Sequence, residues 1–281
     1  MKIITTVKEM QRYVKHNYKR GRRIALVPTM GYFHEGHAML LREARAQCDR
    51  LVVSILVNPL QFGQGDDFAR YPRDMRRDLV IAKECRVNVI FAPSSEEVYP
   101  GGYSTFVEEE RLSRKLCGPF RPGHFRGVAT IVAKLFNIVR PHSAYFGQKD
   151  AQQSAMIRKM VADLNYPVHV VVMPTIREKS GLACSSRNKY LNPREKKEAA
   201  ILNRSLEKAQ EMVRAVVRSV QAILGAVRGS IATAPLVRIE YLEAVNPDTL
   251  ERIAAVDQKT LLAVAARIGG TRLIDNIILE P

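Results

Sequence analysis

The segment from Pro28 to Leu41, with the apolar run before it, constrains the fold more than any other part of the chain. The run Ile24 to Val27 has the character of a buried parallel strand and is bounded by Pro28. A tight turn at Met30–Gly31 follows, and an amphipathic helix is predicted from Ala38 to Gln47. A strand that turns into a helix N-terminus is typical of parallel α/β sheets, where ligands bind outside the carboxyl ends of the strands.

This turn carries two histidines, His34 and His37, with Gly36 between them. Side chains three positions apart on a helical start point to the same side, and glycine lets a flat base or ribose approach the backbone. A helix N-terminus favours anions, phosphates above all. Two imidazoles among its N–H groups can hold a polyphosphate and donate hydrogen bonds to charge that develops on it. We therefore interpret H-x-G-H as a nucleotide site.

Two simpler interpretations of the histidine pair remain open. The residues can be ordinary surface histidines after a turn, or they can bind a metal. No carboxylate or cysteine at ligand spacing accompanies them, which disfavours the metal. The position of the motif between a strand and a helix favours the nucleotide over both.

Length and cysteine content bound the class of protein. A chain of 281 residues can bury a sizeable core, and its length alone favours two domains. Its four cysteines form no C-x-x-C pair, which disfavours disulfides and zinc and fits a reducing compartment. The N-terminus is too polar for a signal peptide, and no apolar stretch has the length of a membrane span. We therefore expect a cytoplasmic protein without a membrane segment.

The charge balance is strongly basic, with a net charge of +16 from 44 Lys and Arg against 28 Asp and Glu. Such a surplus can mark a nucleic-acid surface, but it can also serve small anionic substrates or be solvated. The basic clusters are scattered, and no RNA-reading aromatic motif accompanies them. A nucleic-acid-binding protein is therefore a minority hypothesis.

Predicted strands and helices alternate in a β-α-β pattern in the N-terminal part of the chain, and this pattern is absent from the C-terminal part. From Pro193 we predict a long charged helix from Arg194 to about Val216, a second helix that ends near Gly229, and a short helix after Pro247. Strands are expected at 237–245, 260–266 and 272–279. The pattern predicts an α/β fold, with a doubly wound, Rossmann-like parallel-sheet domain at 1–176 and a smaller α+β domain at 177–281.

Six stretches of the chain carry a family resemblance. They are P-T-M-G-Y-F-H-E-G-H at 28–37, V-S-I-L-V-N-P-L-Q-F at 53–62, Y-P-R at 71–73, H-F-R-G-V-A-T at 124–130, Y-F-G-Q-K-D-A-Q-Q at 145–153 and G-L-A-C-S-S-R-N at 181–188. In this order they resemble the pantothenate synthetase (pantoate–β-alanine ligase) family, in the superfamily of nucleotidylyltransferases and class I aminoacyl-tRNA synthetases. Three departures, at Phe33, Leu56 and Cys184, exchange one apolar residue for another.

The resemblance implies an ATP-dependent ligase of coenzyme A biosynthesis. The carboxylate of (R)-pantoate would attack the α-phosphorus of ATP, giving pyrophosphate and an enzyme-bound pantoyl adenylate. The amine of β-alanine would then displace AMP to give pantothenate. The resemblance also implies Mg²⁺ with ATP, a homodimer, and a C-terminal domain that closes as a lid.

The resemblance assigns the nucleotide site as follows. His37 would be the proton donor, His34 and Lys149 would act on the phosphates, and Arg187 would belong to a mobile phosphate-gripping loop. The full set of expected ATP contacts is Met30, Gly31, His34, Gly36, His37, Gly147, Lys149, Asp150, Ile176, Cys184, Ser185, Ser186 and Arg187.

For the acid substrate, the resemblance implies that Gln61 and Gln153 hold pantoate and that Gln61 also faces β-alanine. The further candidates are Pro28 and Phe62 as apolar walls, with Asn58, Arg121 and His124. No protein ligand of Mg²⁺ is firm. Asp78 is a possible outer-sphere ligand, although its helical position is more typical of a surface residue.

Alternatives to these assignments follow from the residues alone. Lys149 can be a solvated turn lysine, Gln61 can satisfy a loop backbone, and Ser185–Ser186 can form an ordinary turn. Cys184 fits a small packed residue better than a nucleophile. A nucleotidyltransferase of the same superfamily, which moves AMP or CMP onto a phosphate or alcohol, would share H-x-G-H but would not explain the two glutamines.

Overall fold

The computed structural model describes all residues from Met1 to Pro281. Six parallel strands form one sheet in the order β1-β4-β3-β2-β5-β6. In chain order they are Lys2–Ile4, Ile24–Thr29, Arg50–Ile55, Val89–Phe91, Ser143–Gly147 and His169–Met173. The order reverses between β2 and β5, and this topological switch point is where doubly wound sheets bind ligands. The predicted α/β class and parallel sheet are confirmed.

The connections between successive strands contain helices, which pack on the parallel sheet. They are α1 (Val7–Tyr18), α2 (Glu35–Ala46), α3 (Met75–Glu84), α4 (Ser95–Val98), α5 (His124–Val139) and α6 (Ala151–Asp163). Thr6 caps α1, because its side chain accepts a hydrogen bond from the Glu9 N–H. The apolar helix α5 is buried along almost its whole length and forms much of the largest hydrophobic core.

The C-terminal part contains an antiparallel sheet, β7-β8-β9, formed by Val237–Val245, Thr260–Ile268 and Thr271–Leu279. Three helices, α7 (Pro193–Ala199), α8 (Ile201–Arg214) and α9 (Val220–Ile231), share a second core with this sheet. Its other face contributes Tyr241, Val245 and Leu261 to the core around α5. The predicted smaller α+β part is confirmed, and the domain boundary near 176 stays a prediction.

Several predicted elements were wrong in detail. The long helix from Arg194 is two helices that meet at Ala200, and the sequence hides the break because its neighbours are good helix formers. The segment after Pro247 is a turn, since the Asn246 side chain accepts from the Asp248 and Thr249 N–H groups. The edge strand β1 was not predicted, because three residues show no periodicity. None of the helices combines the length and the hydropathy that crossing a bilayer requires.

Candidate active site

A cavity of about 230 Å³ lies at the carboxyl ends of β2 and β5. The structure brings eighteen of the predicted site residues together in its lining: Pro28, Met30, His34, Gly36, His37, Asn58, Gln61, Arg121, His124, Gly147, Lys149, Asp150, Gln153, Ile176, Cys184, Ser185, Ser186 and Arg187. Three candidates, Gly31, Phe62 and Asp78, do not line it. Residues distant in the sequence therefore converge on the switch point of the sheet.

The turn after β2 is held by a buried carboxylate. Asp78, only 1% exposed, accepts hydrogen bonds from the backbone N–H groups of Tyr32 (2.8 Å) and Phe33 (2.6 Å). Burial raises the pKa of this carboxyl, and the two N–H donors oppose that rise. Gly31 is required here, because its φ is +83° and an added Cβ would lie 2.9 Å from Asp78 Oδ2. Asp78 is thus a buried support of the turn, which corrects the expectation of a surface residue. It does not line the cavity, and its outer-sphere role towards Mg²⁺ stays a prediction.

Phe62 does not serve as a wall of the cavity. Its ring packs edge-on against Phe68 and Tyr71, at centroid distances of 5.2 and 5.9 Å. The apolar lining comes instead from residues that include Leu56 and Val128. The expectation for Phe62 is corrected, because the loop after Gln61 turns this ring towards its own aromatic neighbours.

Helix α2 begins at Glu35, three residues before the predicted start, and the two histidines cap it. His34 Nδ1 accepts from the Gly36 N–H at 3.2 Å, and His37 Nδ1 accepts from the His34 N–H at 3.3 Å. The two side chains form a reciprocal capping box. The ring centroids lie 4.1 Å apart, so both rings face the same side, as the spacing predicted.

Both capping histidines are neutral near pH 7. Burial lowers the pKa of His34 to about 2, helped by His37, and burial lowers the pKa of His37 to about 4, helped by Lys149. Since each Nδ1 accepts from a backbone N–H, the proton of each neutral ring is on Nε2. The pair therefore offers two N–H donors whose positions are fixed by the helix cap.

The turn after β5, Gly147 to Asp150, presents Lys149 to the cavity from the opposite side of the switch point. Its ammonium lies 4.0 Å from the carboxylate of Asp150, which is half-exposed. No side chain within the turn caps the N-terminus of α6. The carbonyl groups of the turn are instead held by Asn276 on β9. Its Nδ2 donates to the Gln148 carbonyl at 3.0 Å and to the Lys149 carbonyl at 2.9 Å.

The predicted phosphate-gripping loop forms the third side of the cavity. Ser185 Oγ accepts from the Arg187 N–H, and Ser186 Oγ donates to the Tyr32 carbonyl at 3.4 Å. The Arg187 guanidinium makes a two-point ion pair with Asp67, with N–O distances of 3.0 and 2.8 Å. The loop after β3 thus supplies a carboxylate partner that the sequence did not suggest.

The amide of Gln61 is oriented by Asn58, which is only 1% exposed. Asn58 Nδ2 donates to Gln61 Oε1 at 3.1 Å, and Asn58 Oδ1 accepts from the Tyr99 hydroxyl at 2.8 Å. The Gln61 NH₂ group consequently points away from Asn58, towards the Met30 sulfur at 3.1 Å. This arrangement leaves a donor available to an acidic or hydroxylated substrate.

Behind Gln61, His124 and Arg121 hold its backbone. His124 Nδ1 donates to the Gln61 carbonyl at 2.8 Å, so its Nε2 accepts from Arg121 at 2.9 Å. Burial, then the Arg121 charge, lowers the pKa of His124 to about 3. Arg121 also pairs with Asp66 at 3.2 Å. Both residues therefore act chiefly as supports of the glutamine.

A second cavity, of about 380 Å³, adjoins the first and is strongly polar. The two cavities share Arg121, Lys149, Asp150, Ser185 and Arg187, and the second adds Arg70, Arg267 and Arg272 to its cationic lining. Such a surface is suited to a highly charged anion. No group of three or more His, Cys, Asp or Glu side chains is arranged to hold a metal ion.

Sequence reasoning missed Thr175 and the supports behind the site. Thr175 lines the first cavity, and its hydroxyl oxygen is buried without a hydrogen-bond partner in the protein. It adjoins the predicted contact Ile176, which is the one signal that pointed to it. Tyr99, Asp67 and Asn276 lie far from the motifs they support, and nothing local in the sequence indicates their roles.

Comparison with known proteins identifies the family of this chain. The family model described as pantoate-beta-alanine ligase matches residues 2–278. The chain is 52% identical to the pantothenate synthetase of Heliobacterium modesticaldum over 280 residues, with 100% of both chains covered. It is also 52% identical to that of Geobacter sulfurreducens, with 99% of both covered.

Solved structures give the same result. The pantothenate synthetase of Thermus thermophilus superposes with a TM-score of 0.96 at 43% identity and covers 100% of both chains. The pantoate-beta-alanine ligase of Francisella tularensis, a complex with beta-gamma ATP and beta-alanine, gives 0.82 at 31% identity, with 99% of this chain and 97% of that chain covered. The chain belongs to the pantoate–β-alanine ligase (pantothenate synthetase) family.

Proposed function

We propose that this enzyme condenses (R)-pantoate with β-alanine, consuming ATP and releasing AMP and pyrophosphate through an enzyme-bound pantoyl adenylate. One observation supports this most: the fixed donors of His34 and His37, the Lys149 ammonium and the oriented Gln61 amide all line one cavity. An adenylating ligase needs cations and donors for phosphates beside an amide site for an acid.

In the first half-reaction the pantoate carboxylate attacks the α-phosphorus, and pyrophosphate leaves. Negative charge grows on the phosphoryl oxygens, and donors fixed beforehand stabilise it without reorganising. The Nε2–H groups of His34 and His37 fill this role from the start of α2, where the helix dipole adds to them. In the free enzyme these rings are neutral, so the donor role proposed for His37 is that of an N–H hydrogen-bond donor.

Lys149 acts on the phosphates from the β5 side, and Arg187 with Ser185 and Ser186 acts from the loop. Arg187 is paired with Asp67 in this structure, so phosphate competes with a carboxylate for its guanidinium. The adjoining polar cavity can accept the departing pyrophosphate among Arg70, Arg267 and Arg272. Thr175 and Ile176, on the lining of the same cavity, would contact the nucleoside.

Pantoate is held by amide groups and not by a dedicated cation. The Gln61 NH₂ and the Gln153 amide can bind its hydroxyl and carboxylate oxygens, and Pro28 with Leu56 and Val128 can contact its methyl groups. In the second half-reaction the β-alanine amine attacks the activated acyl carbon near Gln61. Residues 177–281 would close over the site as a lid, with the boundary near 176, and exclude water from the acyl adenylate.

ATP is the co-substrate in this proposal, and Mg²⁺ accompanies it. The chain offers no cage of protein ligands, which fits an ion that phosphate oxygens and water hold. Asp150, half-exposed beside Lys149 on the lining of both cavities, is the carboxylate that would hold the ion. When bound, the ion supplies charge neutralisation to the phosphates. A cytoplasmic homodimer follows from the family resemblance and is proposed with it.

A product assay tests the function. The purified protein is incubated with ATP, Mg²⁺ and pantoate, with and without β-alanine, and the nucleotide and acyl products are identified. We expect AMP, pyrophosphate and pantothenate with β-alanine, and a retained pantoyl adenylate without it. ADP with phosphate would replace the adenylate by an acyl phosphate. No turnover from folded protein would contradict the ligase and favour a nucleotidyltransferase.

A further inference from the structure

Asn276, on the C-terminal strand β9, holds the Lys149 turn with every polar atom of its side chain. It is only 5% exposed. Its Nδ2 donates to the carbonyls of Gln148 and Lys149, and its Oδ1 accepts from Gln148 Nε2 at 3.1 Å. The other side-chain hydrogen bond to the turn comes from Ser154 Oγ, which donates to the Gly147 carbonyl at 3.3 Å, so Asn276 supplies three of the four. The position of the Lys149 backbone therefore depends on β9.

Asp275, the preceding residue of β9, holds the loop on the other side of the phosphates. It is 3% exposed, and its two oxygens accept from Arg177 at 2.6 and 3.0 Å. Arg177 also donates to the Gly181 carbonyl at 3.2 Å and forms a β-bridge with Ala183. This anchors the base of the loop that carries Ser185–Arg187.

We propose that Asp275 and Asn276 are positioning residues, which together set the placement of Lys149 relative to the Ser185–Arg187 loop during adenylation. This inference rests on the proposed function. Neither side chain lines the main cavity, so each acts through the segment it holds.

The geometry of a strand explains why adjacent residues can hold two segments. Successive side chains of a strand leave on opposite faces, so β9 can hold one segment with each residue. The strand itself is fixed by antiparallel pairing with β8 along its full length, including Asp275 opposite Val264 and Asn276 opposite Ala263. The Asn276 N–H also donates to Asp275 Oδ1 at 2.8 Å, and this hydrogen bond links the two sets of contacts. A displacement of about 1 Å in a catalytic group can cost roughly 100-fold in rate.

The test separates the two half-reactions in Asn276→Ala and Asn276→Asp. Asn276→Asp keeps the shape of the side chain but replaces the NH₂ donors with an acceptor. The matched control is Thr260→Val, which removes a buried hydroxyl of the same sheet that does not contact the turn. Pantoate-dependent ATP–pyrophosphate exchange reports adenylation, and purified pantoyl adenylate with β-alanine reports the second step.

We expect both Asn276 variants to lower the kcat of exchange by roughly 10- to 100-fold while the second step changes by less than about threefold. Thr260→Val should leave both steps near wild type. In the Lys149→Ala background, adding Asn276→Ala should cause no further loss of exchange, because residues that act through one group are non-additive.

Three outcomes would overturn the inference: unchanged exchange, equal losses in both steps, or full additivity with Lys149→Ala. If Asn276→Ala does not fold, Asn276→Asp and Gln148→Ala, which removes only the Oδ1 partner, give the same test. A wild-type enzyme without pantoate-dependent exchange would refute the proposed function itself. A wild type with exchange and unaffected variants would refute only the positioning role.

Discussion

The two turns that face the phosphates are supported in different ways. The turn after β2 is capped from within, since His34 and His37 accept hydrogen bonds from N–H groups no more than three residues away. The turn after β5 has no such cap, and three of its four side-chain hydrogen bonds come from Asn276, 127 residues beyond Lys149 in the chain. A catalytic turn can thus be prepared locally or by a distant element. Only the second arrangement couples the chemistry to the C-terminal sheet.

The largest effect should come from removing the ammonium or the N–H donor that each turn presents to the phosphates. We expect Lys149→Ala and His37→Ala each to lower kcat/KM by about 1,000-fold, because each removes a fixed group that stabilises transition-state charge. Steady-state kinetics with thermal melting measures this. Lys159→Ala, a surface lysine of α6 that pairs with Asp163, is the matched control and should keep its activity. Near-wild-type turnover in either site variant would contradict that residue's role.

The two histidines that cap the turn after β2, together with His124, should lower the free energy of unfolding as the pH falls below 6.5. The pKa values of His34 and His37 are lowered in the folded state, to about 2 and 4, and that of His124 to about 3. Above pH 6.5 these rings are neutral in both states. As pH falls from 6.5 towards the folded values, only the unfolded chain gains protons, so stability is lost at roughly 1.4 kcal/mol per pH unit for each histidine.

Denaturant unfolding between pH 7 and 5 measures this slope. His34→Gln and His124→Gln should each reduce this slope by the contribution of one histidine, roughly 1.4 kcal/mol per pH unit. Lys159→Met, on the surface of α6, should leave it unchanged, because this lysine pairs with Asp163 and not with the buried histidines. His37 remains in the double variant, so a slope that falls by less than the contribution of two histidines would show that other groups cause it.

Asp78 makes two of the long-range hydrogen bonds to the turn after β2, where Ser186 Oγ also donates to the Tyr32 carbonyl. Asp78→Asn replaces a carboxylate that accepts from two N–H groups with an amide that can accept with only one atom. We expect a loss of about 1–3 kcal/mol in the free energy of unfolding. Asp74→Asn, at the N-cap of α3, changes an exposed carboxylate on the same helix and should cost less. If the two variants lose the same free energy of unfolding, Asp78 does not support the turn in the way that its contacts indicate.

The smallest effect concerns the cap itself. His34→Ala removes an N-cap acceptor and should cost about 1 kcal/mol of stability. His34→Asn should restore that stability, because asparagine is a good N-cap, without restoring adenylation, since the Nε2–H donor is still missing. Melting temperature and pyrophosphate exchange measured on the same samples separate the two roles. Recovery of exchange in His34→Asn would mean that the histidine serves only as a cap.

The contrast between the turns also explains what the sequence could predict. Apolar runs and H-x-G-H are local patterns, so the parallel sheet and the histidine pair were predicted from the residues themselves. The placement of Lys149 at a strand end was predicted too, although its role required the family resemblance. The contacts between Asn276 and the Lys149 turn depend on how β9 packs against the end of β5, and no spacing in the sequence predicts that packing.

Two errors have the same origin. Asp78 was expected on the surface because its helix is charged, and only the packing of α3 against the Gly31 turn shows that the carboxylate is buried. Phe62 was expected in the cavity because it follows Gln61, and its direction is set by Phe68 and Tyr71. Both depend on contacts between segments and not on periodicity.

The distance from Lys149 to Asn276 has a consequence for biosynthesis. A ribosome makes the turn after β5 long before it makes the side chain that holds it, and for 127 residues the delay is roughly 6 to 25 s. The histidine cap has all its partners within a few residues and can form as soon as its own helix does. A nascent chain can therefore hold a formed nucleotide-facing histidine pair before its lysine is in place. The enzyme completes its catalytic geometry last, when β9 joins the fold.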